Sequence, residues 1–194
     1  YSKSDTAWFA NDVRSGKTIQ LTSDTGFSDA AEDDHPDYPS PYGVAGWSEN
    51  DNRVLIYDRY DIWSINPDKP SDIVNLTKGA ALKTRYRYVK LDDEERSIDT
   101  DKALLLHLFD EKSKRSGYAQ LSNVTKQIIE LAKSGADYSR KVYKAKKAGD
   151  VIFTKETFNE FPDLYAADNL TFSNIRKLSD ANPQQANINW GTVE

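Results

Sequence analysis

Strand-like segments along this 194-residue chain end in one recurring motif, an apolar residue followed by a hydroxyl. It appears as Ile19-Gln20-Leu21-Thr22, Val74-Asn75-Leu76-Thr77 and Arg176-Lys177-Leu178-Ser179. The hydroxyls at 22, 77 and 179 stand 55 and 102 residues apart, and the second gap is two units of 51. A middle member is then expected near residue 128, where Lys126-Gln127-Ile128-Ile129-Glu130-Leu131 has similar strand character. A repeat of about 50 residues suits an architecture of radially repeated sheets with four short strands each, the β-propeller blade.

The segments between these endings carry the strands such a unit needs. Tyr42 to Trp47 is short and apolar, and Ser48 to Asn52 is a polar turn. Arg53-Val54-Leu55-Ile56-Tyr57-Asp58 is nearly continuous in apolar residues, which predicts burial on both faces. Asp61-Ile62-Trp63-Ser64-Ile65-Asn66 alternates with period two, and Ile73 to Leu76 closes the unit. Thr84–Leu91, Ala103–Phe109, Gly117–Leu121 and Lys126–Leu131 read as a second unit; Ser139–Lys146, Val151–Thr154, Asp163–Ala167 and Asn174–Leu178 read as a third. The fold class expected is all-β, a partial β-propeller of about three complete four-stranded antiparallel blades plus part of another. The expected divisions are a partial blade at 1–25, blades at 26–80, 81–135 and 136–182, and the start of a linker at 183–194. Trp47, Val54, Ile56, Ile62, Leu105 and Val151 are the expected core positions.

Composition narrows the function classes. Hydrophobic residues make up 38% and aromatic residues 11%, enough for a folded core, and no apolar run approaches the roughly 20 residues of a membrane span. The net charge of −5 argues against broad nucleic-acid binding. With no cysteine, disulfides, thiolate metal sites and thiol nucleophiles are excluded. The chain begins at Tyr1 and contains no methionine, which reads as a fragment of a longer protein.

Two segments resemble a known family. Pro41-Tyr42-Gly43-Val44-Ala45-Gly46-Trp47 followed by Asn52 to Trp63 resembles a propeller blade of the prolyl oligopeptidase family of serine peptidases. Trp47-Ser48-Glu49-Asn50-Asp51 is similar to the Trp-Ser-Pro-Asp turn of TolB-like and WD-type blades, with Glu in place of Pro. The tail Gln184 to Glu194, with Asn189-Trp190-Gly191-Thr192-Val193-Glu194, resembles the junction to the α/β-hydrolase domain of that family. The resemblance implies a noncatalytic, substrate-gating propeller of an exported bacterial serine peptidase that cleaves short peptides, periplasmic or secreted. It implies as partners the peptide substrate, the missing hydrolase domain and the remaining blades. A second copy of the chain is a further expected partner, since open sheets leave unpaired edges. The alternative is a TolB-like propeller that binds or scaffolds without catalysis. A nucleophile of this family sits on a Gly-x-Ser-x-Gly elbow, which this chain lacks, so no catalytic residue is assigned. No cofactor and no metal are expected.

Few residues remain as candidates. Arg85 and Arg87 alternate with Tyr86 and Tyr88, so one strand face is cationic and the other aromatic. The two arginines are the candidate peptide-facing groups, able to attract peptide carboxylates; pairing with Asp92 to Glu95 is the ordinary alternative. His107, inside Leu104 to Phe109, reads as structural. His35, within Asp33-Asp34-His35-Pro36-Asp37, reads as part of a solvated acidic loop. Three Asn-x-Thr sequons, at Asn75, Asn123 and Asn169, read as structural features of the repeat. The basic run Lys141 to Lys147 reads as a solvated edge strand rather than a single-stranded nucleic-acid site.

Overall fold

The computed structural model describes residues 1–23, 25–30 and 37–191. It is all-β: among the described residues there are antiparallel sheets and short 3-10 turns, with no α-helix. The chain forms two compact units, Tyr1–Arg87 with Arg96–Lys102, and Tyr88–Glu95 with Ala103–Glu194.

The first unit opens with a hairpin of β1 (Phe9–Asn11) and β2 (Thr18–Gln20), in register Ala10 to Ile19. A four-stranded meander follows: β3 (Val44–Trp47), β4 (Val54–Tyr57), β5 (Ile62–Ile65) and β6 (Ile73–Asn75), each strand paired with the next. All four residues of β4 are buried, as the unbroken apolar run requires of a strand covered on both faces. Val54, Ile56 and Ile65 form a core with Leu21 and Phe27, and Trp8, Trp47 and Trp63 pack around it half-buried. β7 (Thr84–Tyr88) then carries the chain to the second unit, the division falling after Arg87.

In the second unit, β8 (Leu104–Asp110), β9 (Ser116–Leu121) and β10 (Ile128–Ser134) pair in order, with β9 central. The segment near residue 128 is thus a strand, β10. A bulge between Glu130 and Ala132 brings the β10 backbone so close to Gly117 that a Cβ there would lie 1.9 Å from the Ala132 carbonyl oxygen. The next sheet is built on β13 (Val151–Thr157), which pairs with β11 (Asp137–Tyr138), β12 (Tyr143–Lys144) and β14 (Glu160–Ala167); β15 (Arg176–Lys177) adds to β14. Tyr118, fully buried, is the centre of an aromatic core: it stacks on Phe172 at 4.2 Å and meets Tyr138 and Phe153 edge-on at 5.5 Å. Burial lowers the acidity of its hydroxyl, which donates to the Ser139 carbonyl.

The structure gives the repeated hydroxyls a common task. Thr22 Oγ1 accepts from the Trp8 N–H at 3.0 Å, Thr77 Oγ1 from Ile62 at 3.0 Å, and Ser179 Oγ from Leu164 at 2.9 Å. A hydroxyl both accepts and donates. Thr77 donates on to Asp61 and Ser179 to Asp163, each at 2.6 Å and each to the residue just before the accepted N–H. At the corresponding place in the first hairpin stands Ala7, whose side chain cannot accept. Asp61 is 1% exposed and also receives the Asn75 amide and the Gly79 and Ala80 N–H groups, tying β5 to the chain beyond β6. Ser116 does related work in the second unit, accepting from the Tyr138 N–H at 2.8 Å.

Of the expected core positions, Val54, Ile56, Ile62, Leu105 and Val151 are buried, while Trp47 packs against the core half-buried.

Candidate functional site

The turn between β4 and β5, residues 58–61, and the segment 79–87 meet within the first unit. Asp58 shapes the turn: its carboxylate accepts from the Tyr60 and Asp61 N–H groups and, at 2.7 Å, from Trp63 Nε1. The Tyr86 N–H donates to the Tyr60 carbonyl at 2.8 Å, which brings the start of β7 beside this turn. Gly79 makes the approach feasible, since a Cβ there would lie 2.1 Å from the Thr84 carbonyl oxygen and 2.9 Å from the Tyr86 ring.

Three cations gather here on a tyrosine base, with Arg85 on the same strand as one of them. Arg87 lies 4.6 Å over the Tyr57 ring and donates to three main-chain carbonyls, those of Tyr86, Asp58 and Arg59. Arg59 and Lys83 each lie 5.1 Å from the Tyr60 ring centroid. Tyr57, Tyr60 and Tyr86 are buried and Lys83 is exposed. Arg85 shares with Arg87 the half-buried face of β7, and Tyr86 faces the other way into the interior. Cations over desolvated ring faces are attracted by the ring quadrupole, and their crowding gives the turn a local positive potential. The geometry makes Arg87 a brace, with Lys83 the exposed charge. The chemistry this arrangement offers is electrostatic attraction of an anion.

Arg59, Lys83 and the Tyr57–Tyr60 base were absent from the sequence-derived candidates. A signal existed: Arg-Tyr occurs three times, at Arg59-Tyr60, Arg85-Tyr86 and Arg87-Tyr88. Only the last two are adjacent in sequence; the hydrogen bond from Tyr86 to Tyr60 is what adds the first.

The other candidates take structural places. His107 is buried, with Nε2 2.9 Å from the Tyr138 carbonyl oxygen and its ring edge-on to Tyr118. His35 lies outside the described residues. Asn75 is committed to Asp61 through Nδ2 and to the Thr77 and Lys78 N–H groups through Oδ1. Asn169 accepts from the Thr171 N–H within a turn. In the basic run, Lys141 pairs with Asp93 and lies over Tyr143, while Lys144 donates to the Ala145 and Ala148 carbonyls. Among the described residues no three His, Asp or Glu side chains converge on a common point that would hold a metal, and no helix is long and apolar enough to cross a membrane.

No family model matches the chain, and no curated protein matches it. Solved structures do. An oligogalacturonate lyase in complex with manganese superposes with a TM-score of 0.61 at 11% identity, over 90% of this chain and 46% of that one. An oligogalacturonate lyase from Vibrio parahaemolyticus gives 0.59 at 9% identity, over 90% and 46%. TolB from Acinetobacter baumannii gives 0.51 at 12% identity, over 90% and 40%. The chain therefore spans less than half the length of each of these structures. They are β-propellers, and at this identity the likeness shows the fold alone: the antiparallel sheets of this chain are of the β-propeller kind.

Proposed function

We propose that this chain is the noncatalytic propeller portion of an exported bacterial serine peptidase of the prolyl oligopeptidase type, periplasmic or secreted, which admits short peptides to a hydrolase domain. In this reading the meanders are blades, about three complete and one partial, and the hydroxyl–carboxylate lock is their repeated closure. The observation that carries the reading is the cationic, tyrosine-backed turn formed by Arg59, Lys83 and Arg87, with Arg85 beside it on the same face of β7 as Arg87. A peptide presents a terminal carboxylate, and guanidinium and ammonium groups in a partly desolvated setting recognise it by charge-assisted hydrogen bonds. Arg85 and Lys83 would meet that carboxylate, and Arg87 would hold the turn in shape. The β-propeller fold of the neighbours agrees with this part of the reading, and the blade-like Pro41–Trp63 segment and the Asn189–Glu194 tail supply its peptidase half.

The test is a titration of the purified chain with a tripeptide bearing a free C-terminal carboxylate and with its C-terminal amide. Binding of the free acid, lost in the amide and weakened in Lys83→Ala and Arg85→Ala, supports the reading. Equal binding of the two refutes the carboxylate role and favours a propeller used for scaffolding. The chain alone should leave proline-containing chromogenic dipeptides uncleaved. Turnover that survives repurification and is blocked by a serine-reactive inhibitor would overturn the noncatalytic assignment.

A further inference from the structure

A second region of the first unit, which shares Asp58 with the cationic turn, has the makings of a ligand site of different chemistry. The end of β2 and the turn after it stand across from β5 and the start of β6, enclosing an open groove of about 630 Å³, within the range of small-molecule sites. Trp63 and Phe27 supply its aromatic surface, their rings edge-to-face at 5.9 Å. The indole is fixed, because Trp63 Nε1 donates to Asp58 Oδ2. Around it stand Gln20, Ser23 and Ser71, all exposed. Gln20 is oriented by donation from Nε2 to the Thr22 carbonyl at 2.8 Å, which leaves Oε1 as an acceptor. The Ser23 and Ser71 hydroxyls have no hydrogen-bond partner among the described residues. Among the described residues of the lining Asp58 is the one that carries a charge, and none is Lys, Arg or His.

We infer that this groove binds a neutral saccharide. A pyranose ring offers a face of C–H groups to an aromatic surface and a rim of hydroxyls that both donate and accept. A rigid indole ringed by two uncommitted hydroxyls, an amide oxygen and a carboxylate complements both features. The lining disfavours other classes: among its described residues phosphate, nucleotide and uronate ligands find no counter-ion and meet the Asp58 carboxylate.

The indole N–H signals of the uniformly 15N-labelled chain provide the readout, with Trp63 assigned by its disappearance in Trp63→Phe. Maltotriose and cellotriose are the probes, and trigalacturonate is the acidic control. The expected result is a saturable shift of the Trp63 signal with at least one neutral trisaccharide, with Trp47 and Trp190 unmoved and trigalacturonate inert. Gln20→Ala and Ser71→Ala, changes at exposed positions that leave the core intact, should each weaken binding by about 2- to 10-fold, the loss of one net hydrogen bond. Absence of a saturable shift with both neutral sugars, a response shared equally by all the indoles, or trigalacturonate binding as tightly as maltotriose would each overturn the proposal.

Discussion

The lock around Asp61 lends itself to a quantitative test, because every polar atom in it has an assigned partner. Asp61 Oδ1 accepts from Thr77 Oγ1 and the Gly79 N–H, and Oδ2 from Asn75 Nδ2 at 3.0 Å and the Ala80 N–H at 3.4 Å. Asp61→Asn keeps the shape and removes the charge, but sets a second amide nitrogen against Asn75 Nδ2. Asn75 cannot turn over to repair this, since its Oδ1 already accepts from the Thr77 and Lys78 N–H groups, each at 2.9 Å. Two part-buried donors, Asn75 Nδ2 and the Ala80 N–H, then face a nitrogen, at a cost of about 1–3 kcal/mol. Asn75→Asp alone sets two carboxylates against each other and should cost a similar amount. Combined, Asp61→Asn with Asn75→Asp restores the donor–acceptor pair with its direction reversed, because the carboxylate introduced at position 75 still offers an oxygen to the two main-chain N–H groups. The cycle should show a coupling of about 1–3 kcal/mol, the range found for residues in one hydrogen-bond network. The assay is urea unfolding followed by fluorescence in a Trp190→Phe background, where Trp8, Trp47 and Trp63 all report on the first unit. A double variant as unstable as the sum of the two single variants would refute the assigned hydrogen-bond directions, and with them the account of the repeat.

Other expectations follow from the same contacts. Thr77→Val strands the buried Ile62 N–H and removes a donor from Asp61, so it should cost about 1–3 kcal/mol and more than Thr22→Val, where Ala7 replaces the acid; urea midpoints of the two variants decide. Gly117→Ala drives a methyl into the Ala132 carbonyl and should destabilise by about 1–3 kcal/mol or more, read as a lowered melting temperature with loss of amide protection in β10. The Lys177 ammonium, with the Ser179 hydroxyl, lowers the Asp163 pKa from 3.8 to about 2. A folded-state pKa below the unfolded one stabilises fully above the unfolded value, so this contribution is lost as pH falls from about 4 towards 2. Carboxyl NMR titration should show Lys177→Met returning Asp163 towards the ordinary range; an unchanged titration would remove Lys177 as the cause.

What could be read from sequence was whatever recurs under one physical rule. Strand positions were legible because burial on a pleated sheet imposes period two, or an unbroken apolar run where both faces are covered, and Val54 to Tyr57 shows the second case. The Leu-Thr and Leu-Ser endings were visible as a spacing, but their purpose was not. The acid that completes each lock lies 16 residues earlier, Asp61 just before β5 for Thr77 and Asp163 within β14 for Ser179. Asp61 was legible only as the first residue of the alternating segment Asp61 to Asn66, although its distance from the hydroxyl is as regular as the repeat. The sequon reading at Asn75 had the same blind spot, since only the fold shows its amide held by Asp61.

The cationic turn resisted sequence reading for a different reason. Alternation marks Arg85 and Arg87 as sharing a face, because neighbours along a strand follow a local rule. No local rule says that Arg59, 26 residues before Arg85, shares a tyrosine ring with Lys83. That meeting depends on the Tyr86 N–H finding the Tyr60 carbonyl and on Gly79 letting the backbones close. A repeated scaffold makes the same strands over and over, while its connections vary without disturbing the sheets. Charged side chains therefore collect where segments distant in sequence meet, as Arg59, Lys83 and Arg87 do between residues 58–61 and 79–87. Substitutions there divide by role: Lys83→Ala should alter ligand binding and leave the melting temperature nearly unchanged, whereas Arg87→Ala should lower it, because three main-chain carbonyls lose their donor.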